Sequence, residues 1–344
     1  MRPSARALTI TVVSLIVVLI ITAALYAMFM STGQDLQTTI DPKSENAIRI
    51  QDVYKIVWIL AGIVMVGVLT LTLAFSFIFR ERPGGKAAAH IHGNPKLEVV
   101  WTLIPVIIVI LMAIPSFQVI VDTTGDSPDG ALQVVATGHQ WWFEFEYPDE
   151  GAGAVTANEL HIPVGRTVNI ELHSVDVIHS FWVPQLAGKV DMVPGHVNKL
   201  WFTPDTVGEY YGQCAEFCGT SHANMRFRVV VESEADYAAW VANQAADAQP
   251  AVSELAQAGE STATTVCAAC HTIRGTTAAG VIGPDLTHVG SRGLIASGII
   301  DNDAAGLTEW LTNPPEVKPG SKMPNLNLSS QQIEQLVAYL QELQ

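Results

Sequence analysis

Three long apolar runs constrain this chain more than any other feature. They cover residues 8–30, 54–79 and 99–121, and hold 23, 26 and 23 residues. About 20 residues cross the hydrocarbon core of a bilayer as a helix, so each run is long enough to span one and too long for an ordinary buried helix. Hydrophobic residues make up 49% of the 344 and are concentrated near the N-terminus. The middle run has Lys55 near its start, and the third carries Pro105 and Pro115. A membrane helix tolerates such prolines where neighbouring groups satisfy the freed carbonyls.

Basic residues set the orientation. Arg80, Arg82, Lys86 and Lys96 lie between the second and third runs and place that loop in the cytoplasm. Residues 31–53 carry Lys43 and Arg49 against four acids and belong outside. The N-terminus, with Arg2 and Arg6, is then inside, and everything after residue 121 is outside. The run at 8–30 reads either as an extra transmembrane helix or as a signal peptide. Its length, and a weak cleavage site near Tyr26 and Ala27, favour the helix.

Beyond the runs the pattern changes. Short β-branched and aromatic stretches at 132–136, 141–147, 168–173, 199–203 and 225–231 are punctuated by Pro and Gly. They predict an all-β sandwich over 130–232. A stretch rich in Ala, Asp, Glu and Gln follows, predicting a helical linker over 233–254. Residues 255–344 suit a small helical domain whose last helix covers 329–343. The expected organisation is thus a hydrophobic segment 1–30, a transmembrane hairpin 31–122, the sandwich, the linker and the C-terminal domain.

The most specific chemistry lies in the run from Cys214 to Met225, where Cys214, Cys218, His222 and Met225 follow one another at short intervals. Two thiolates, an imidazole and a thioether suit copper, and suit zinc poorly because zinc rarely takes Met. A mononuclear blue-copper site needs one Cys, two His and a weak Met, so this run has one thiolate too many. Two sulfurs can instead bridge two copper ions, each capped by one imidazole, and His179 upstream supplies the second. The competing reading is a Cys214–Cys218 disulfide with His222 and Met225 incidental.

At these residues the chain resembles subunit II of the haem-copper cytochrome c oxidases, which carry the pattern H…CxExCxxxHxxM. The resemblance implies a cupredoxin-like sandwich with a binuclear CuA centre. Its ligands would be His179, Cys214, Cys218, His222, Met225 and the backbone carbonyl of Glu216. It also makes the Glu216 carboxylate a candidate magnesium ligand at the boundary with the catalytic subunit. The aromatic run from Gly138 to Tyr147 is similar to the family's aromatic strand, and Trp141 would then lie where electrons reach the copper. On the residues alone that run reads as core. Glu98, at the start of the third run, matches a glutamate at the cytoplasmic mouth of the family's proton channel. At a helix N-terminus it can also simply complement the macrodipole.

A second signature is independent of the first. Cys267, Cys270 and His271 form a CxxCH motif for covalent c-type haem, with His271 as proximal ligand. A low-spin electron-transfer haem needs a sixth ligand, and Met raises its potential. Met323, 52 residues after His271, is the candidate. The Met323-Pro324 loop before a final helix resembles a small all-α class I cytochrome c. Pro284, whose carbonyl would orient the proximal His, and Arg292, which would face a haem propionate, fit that family too. The chain has four cysteines, and the two sites use all of them.

Past residue 121 there are 27 acids against 9 Lys or Arg. An acidic outer face steers a basic soluble donor, although it also serves solubility alone. No phosphate loop, basic stripe or nucleic-acid signature is present. His90 and His92 read as surface residues. His139, His161, His173, His196 and His288 read as structural or exposed, Asp191 as loop-shaping and Met192 as packing. No His pair lies in the apolar runs, so an oxygen-reducing centre must sit in another polypeptide.

The reading is therefore a multidomain protein of the bacterial cell membrane, with its metal domains on the outer face. It accepts electrons from a soluble donor such as a cytochrome c, through haem c and CuA, for a terminal oxidase. Its partners would be oxidase subunit I and subunit III. Two alternatives are a CuA-containing nitric-oxide reductase subunit and a membrane-tethered electron carrier with no catalytic partner.

Overall fold

The computed structural model describes residues 5–32, 37–81, 83–84, 93–151 and 153–344. Arg2, Arg82, Lys86, His90 and His92 lie outside the described residues. The chain divides into two units, Met1–Ile40 with Arg49–Asp122, and Asp41–Ile48 with Thr123–Gln344.

The first unit is built on three helices, α1 (Ala5–Thr32), α2 (Glu45–Ile78) and α3 (Pro95–Thr124). All three are long and apolar enough to cross a membrane. They run past the apolar stretches because their caps lie in the polar flanks. The Ala47 N–H donates to Ser44 Oγ at 3.0 Å, starting α2 well before residue 54. At α3, Asn94 Oδ1 accepts from the Leu97 N–H at 3.3 Å. The Glu98 carboxylate in turn accepts from the Asn94 N–H at 3.0 Å. This reciprocal arrangement resembles a capping box. No residue of α3 is buried within the chain, which leaves its apolar surface for lipid or another subunit.

In the second unit, ten strands form two five-stranded sheets. They are β1 (Leu132–His139), β2 (Trp142–Tyr147), β3 (Ala154–Ala157), β4 (Glu159–Pro163), β5 (Val168–Ser174), β6 (His179–Trp182), β7 (Val190–Met192), β8 (Asn198–Phe202), β9 (Gly208–Cys214) and β10 (Arg226–Glu232). One sheet runs β3-β2-β1-β5-β8 and the other β4-β10-β9-β6-β7. Strict alternation along β1 turns Leu132, Val134 and Ala136 inward. There they join Phe143, Phe145, Phe181 and Phe227 in one aromatic-rich core. Five strands escape the sequence pattern. β3, β4, β6 and β7 hold only three to five residues each, and β9 carries two glycines within its seven.

The linker holds one helix, and a second opens the C-terminal domain. α4 (Glu234–Ala245) and α5 (Glu254–Thr265) start separately, on Ser233 and Ser253, whose side chains accept from the N–H groups of Asp236 and Ala256. α6 (Ala304–Thr312), α7 (Pro314–Val317) and α8 (Ser330–Glu342) complete the C-terminal domain. A small ribbon of β11 (Leu294–Ile295) and β12 (Ile300–Asp301) sits before α6. α5 and α8 meet at Gly259, where a Cβ would come within 2.1 Å of the Gln335 carbonyl.

Candidate metal centres

The end of β9 and the start of β10 hold the copper motif. Cys214 closes β9, and its N–H donates to the Met225 carbonyl at 2.9 Å, folding residues 215–224 into a loop. Within the loop a 3-10 turn places His222: its N–H donates to the Gly219 carbonyl at 3.1 Å, and the Met225 N–H donates to the His222 carbonyl at 3.2 Å. β6 pairs with β9 through Phe181 and Cys214, which brings His179 alongside from 35 residues away.

The donor atoms form a chain of contacts. Cys214 Sγ lies 3.9 Å from His179 Nδ1 and 3.7 Å from Cys218 Sγ. Cys218 Sγ lies 3.6 Å from His222 Nδ1 and 3.8 Å from Met225 Sδ. The Glu216 carbonyl oxygen is 3.2 Å from Cys214 Sγ, while its carboxylate is exposed and accepts from the Phe217 N–H at 3.2 Å. His179, Cys214, Cys218 and Met225 are buried, and both thiols are free. Two free thiols, two imidazole nitrogens, a thioether and a carbonyl within touching distance fit soft metal chemistry.

The electrostatics favour a charged cluster. A hydrogen bond from Cys218 holds the Cys214 thiol far below its ordinary value, against burial and with help from His179. The same hydrogen bond, with burial, pushes Cys218 up, so the first thiol proton leaves readily and the second is retained. Coordination to a metal would favour the Cys218 thiolate as well. Burial lowers the His179 pKa, but Cys214 and Asp176 outweigh it and the net shift is upward. Asp176 Oδ1 holds His179 Nε2 at 2.8 Å, which leaves Nδ1 aimed at the sulfurs. Such an outer carboxylate fixes the tautomer and orientation of a metal-binding imidazole.

The haem motif is wound as tightly. The N–H groups of Cys270 and His271 both donate to the Cys267 carbonyl at 3.0 Å. The following loop folds back onto the motif, with the Gly283 N–H on the Cys270 carbonyl at 2.8 Å. This brings the Pro284 carbonyl to 2.7 Å from His271 Nδ1. A carbonyl only accepts, so Nδ1 carries the proton and Nε2 is left as a ligand. Burial pushes the His271 pKa down and keeps the ring neutral. Cys267, Cys270, His271, Pro284, Arg292 and Met323 all line one cavity of about 320 Å³, walled by apolar side chains such as Leu307, Trp310 and Leu340. The half-buried Arg292 guanidinium lines it too and donates to the Asp285 carbonyl at 2.6 Å, a cation suited to an anionic group on the cavity's ligand. Two thiols, an imidazole, a thioether and a half-buried cation around an apolar cavity fit a covalently attached haem.

The sandwich closes this cavity on one side with Gln140, Trp141, Trp142 and Asn158. Gln140 Nε2 and Trp141 Nε1 both donate to the Cys218 carbonyl, at 2.7 and 3.1 Å, so Trp141 touches both centres. The sequence reading assigned no role to Asp176, Ser297 or Lys318. Asp176 stands three residues before His179, a spacing open to inspection. Lys318 sits in an ordinary polar loop, and its burial depends on contacts made across the fold.

The other histidines do structural work. His139 stacks on Trp142 at 4.2 Å, and burial pushes it down to about 4. His161 stacks on Trp240 at 4.4 Å. His288 bridges the carbonyls of Gln344 and Ala246 at 2.9 and 3.0 Å. Met192 is fully buried in the sandwich core, and the Asp191 carbonyl accepts from Asn198.

These features define a membrane-anchored copper and haem electron-transfer protein. Comparison with known families is specific. Residues 27–119 match the cytochrome c oxidase subunit II transmembrane domain, 151–234 its periplasmic domain, and 256–344 cytochrome c. A cytochrome c oxidase subunit 2 of Alkalihalophilus pseudofirmus is 37% identical over 323 residues, covering 90% of this chain and 92% of the relative. Those of Bacillus sp. PS3 and Bacillus subtilis are 35% and 31% identical, covering 77% and 94% of this chain and 80% and 97% of theirs. The chain belongs to the cytochrome c oxidase subunit II family, with a cytochrome c domain fused at its C-terminus. It is the non-catalytic, electron-accepting subunit of a haem-copper terminal oxidase, its cofactors are CuA copper and haem c, and its partner is subunit I.

Proposed function

We propose that the copper ligands are His179, Cys214, Cys218, His222, Met225 and the Glu216 carbonyl. On the same reading Cys267 and Cys270 attach the haem, with His271 and Met323 as its axial ligands. The observation that carries this is the convergence of each donor set, with Trp141 hydrogen-bonded to the copper loop and lining the haem cavity. Bound there, the two groups supply one-electron exchange, haem before copper, toward the subunit that reduces oxygen and pumps protons. The residues hold and orient. Asp176 and the Pro284 carbonyl fix the two imidazoles, Arg292 offsets anionic charge, and the apolar walls exclude water.

Trp141 is the point where electrons reach the copper domain. The exposed carboxylate of Glu216 is placed to share a magnesium ion with subunit I. Glu98 caps α3, and its exposed carboxylate stands at the cytoplasmic mouth of a proton channel in that subunit. The helices cross the bacterial membrane three times with the metal domains outside. The donor is a basic soluble cytochrome c, and subunit III completes the complex.

The test is oxygen uptake by the complex purified through a tag on this chain, with reduced cytochrome c as donor and nitric oxide in parallel. Rapid, cyanide-sensitive oxygen consumption is expected. Nitric-oxide turnover without oxygen uptake would move the chain to a reductase. No copurifying partner and no gas consumed would leave a free electron carrier.

A further inference from the structure

Among the described residues, Lys318 is the most deeply buried cation that the metal sites leave unexplained. It is 4% exposed, yet none of its hydrogen-bond acceptors is a carboxylate. Its Nζ donates to the Trp141 carbonyl at 2.5 Å, to Ser297 Oγ at 2.5 Å and to the Ala296 carbonyl at 3.5 Å. Three N–H donors thus meet three acceptors, as a buried ammonium requires. Ser297 Oγ donates in turn to the same Trp141 carbonyl at 2.6 Å. Burial still brings the Lys318 pKa down to about 7.

The surroundings explain why a charge is kept there. Lys318 begins the loop that ends in Met323, and both line the haem cavity. The next residue but one, Gly320 at φ +85°, lies against the Trp141 indole, where a Cβ would come within 3.0 Å of the ring. Gly219 of the copper loop, at φ +119°, lies against the same indole, where a Cβ would come within 3.1 Å. Two close approaches in a conformation that favours glycine therefore bracket one ring. Ser221 Oγ donates to the Pro319 carbonyl at 2.5 Å, tying the copper loop to the Met323 loop beside it. Lys322 Nζ, 3.4 Å from Asp176, adds a second cation on the carboxylate that holds His179.

We propose that Lys318 is a positioning residue for electron transfer between the two centres: its ammonium grips the Trp141 peptide and holds the indole between the copper loop and the Met323 loop. The inference rests on the copper and haem assignments proposed above. It adds a means by which the fused haem domain is held in one register on the copper domain, so that transfer does not wait on a docking encounter. Small misplacements of a donor–acceptor contact have large kinetic effects. The same charge on the cavity wall favours the reduced haem.

The experiment uses the full chain in its purified complex, with haem and copper contents measured first. Lys318→Met keeps the stem and removes the charge and the donors. Both centres should keep their absorption spectra, while haem-to-copper transfer after flash reduction slows about tenfold or more. At pH 6 the haem c midpoint potential should fall. Amide hydrogen exchange, which needs no turnover, should quicken at 294–298 and 318–323. Lys318→Arg should restore the potential and part of the rate. Wild-type transfer and potential in Lys318→Met would overturn the proposal. If that variant fails to load its centres, Ser297→Ala replaces it, with about threefold slowing or more expected for the two lost hydrogen bonds. A wild-type rate there would overturn the proposal equally. A loaded wild-type complex without haem-to-copper transfer would instead overturn the relay on which the proposal rests.

Discussion

The copper loop and the haem cavity are both metal sites, but they are built on opposite plans. In the copper loop the donors already touch, at 3.6–3.9 Å; Asp176 holds His179, the Cys214 N–H closes the loop on the Met225 carbonyl, and Gln140 and Trp141 donate to the Cys218 carbonyl from outside. Around the haem motif the donors ring a cavity of about 320 Å³ lined largely by apolar side chains. A haem bound there would cover those apolar walls, so it would form part of the C-terminal domain's own core. One site is therefore shaped by the fold, and the other domain's fold depends on what fills the site.

The largest expected effect tests that difference directly. Replacing Cys267 and Cys270 together by Ala should abolish covalent haem and remove the C-terminal domain's unfolding transition in calorimetry, leaving the sandwich transition in place. A C-terminal domain that still unfolds cooperatively without haem would break the comparison. The matching change, Cys214→Ser, should abolish the two-copper spectroscopic signal while the haem spectrum and the sandwich transition persist. Survival of a two-copper signal would refute the bridging role of Cys214.

Two smaller changes sharpen the contrast by touching one partner of each centre. Asp176→Asn leaves all copper donors in place but weakens the carboxylate on His179, and should cost about 10–100-fold in copper affinity by chelator competition. Met323→Ala should leave haem attached through its thioethers with altered axial ligation. An unchanged reduced spectrum would mean that another residue is the sixth ligand.

The two sites were unequally legible in the sequence. Cys214 to Met225 and Cys267 to His271 are local runs whose spacing is itself the chemistry, and the three apolar runs announce helices by length alone. His179 stands 35 residues from Cys214 and joins it through the pairing of β6 with β9, a contact no local period encodes. β6 holds four residues, too few to alternate visibly, and its burial pattern is nearly continuous. Lys318 was opaque for another reason. Its environment is assembled from the turn between β11 and β12, the Trp141 turn and its own loop, so nothing adjacent in sequence distinguishes it from a solvated lysine. The true starts of α2 and α3 were missed because hydropathy marks where the bilayer begins, whereas Ser44 and Asn94 mark where the helices do.

The smallest expected effect concerns the seam between the two regions. Glu159 is buried, and its Oε1 accepts from the N–H groups of Gly293 and Leu294 at 2.9 and 3.2 Å, joining the sandwich to the C-terminal domain. Its Oε2 lies 3.9 Å from His161 Nε2, and Glu232 lies 3.1 Å from His161 Nδ1. Burial lowers the His161 pKa, but the two carboxylates outweigh it and leave the folded value above the ordinary one. The folded state therefore binds this proton more tightly than the unfolded chain does. The resulting stabilisation is fully present below the unfolded value of about 6.5 and is lost as pH rises through the folded value. Thermal unfolding of the full chain should show the midpoint falling modestly above neutral pH. His161→Gln should remove that part of the pH dependence while leaving both metal spectra unchanged. A midpoint that stays flat with pH in the unmutated chain would mean that the two carboxylates hold the seam without help from the imidazolium.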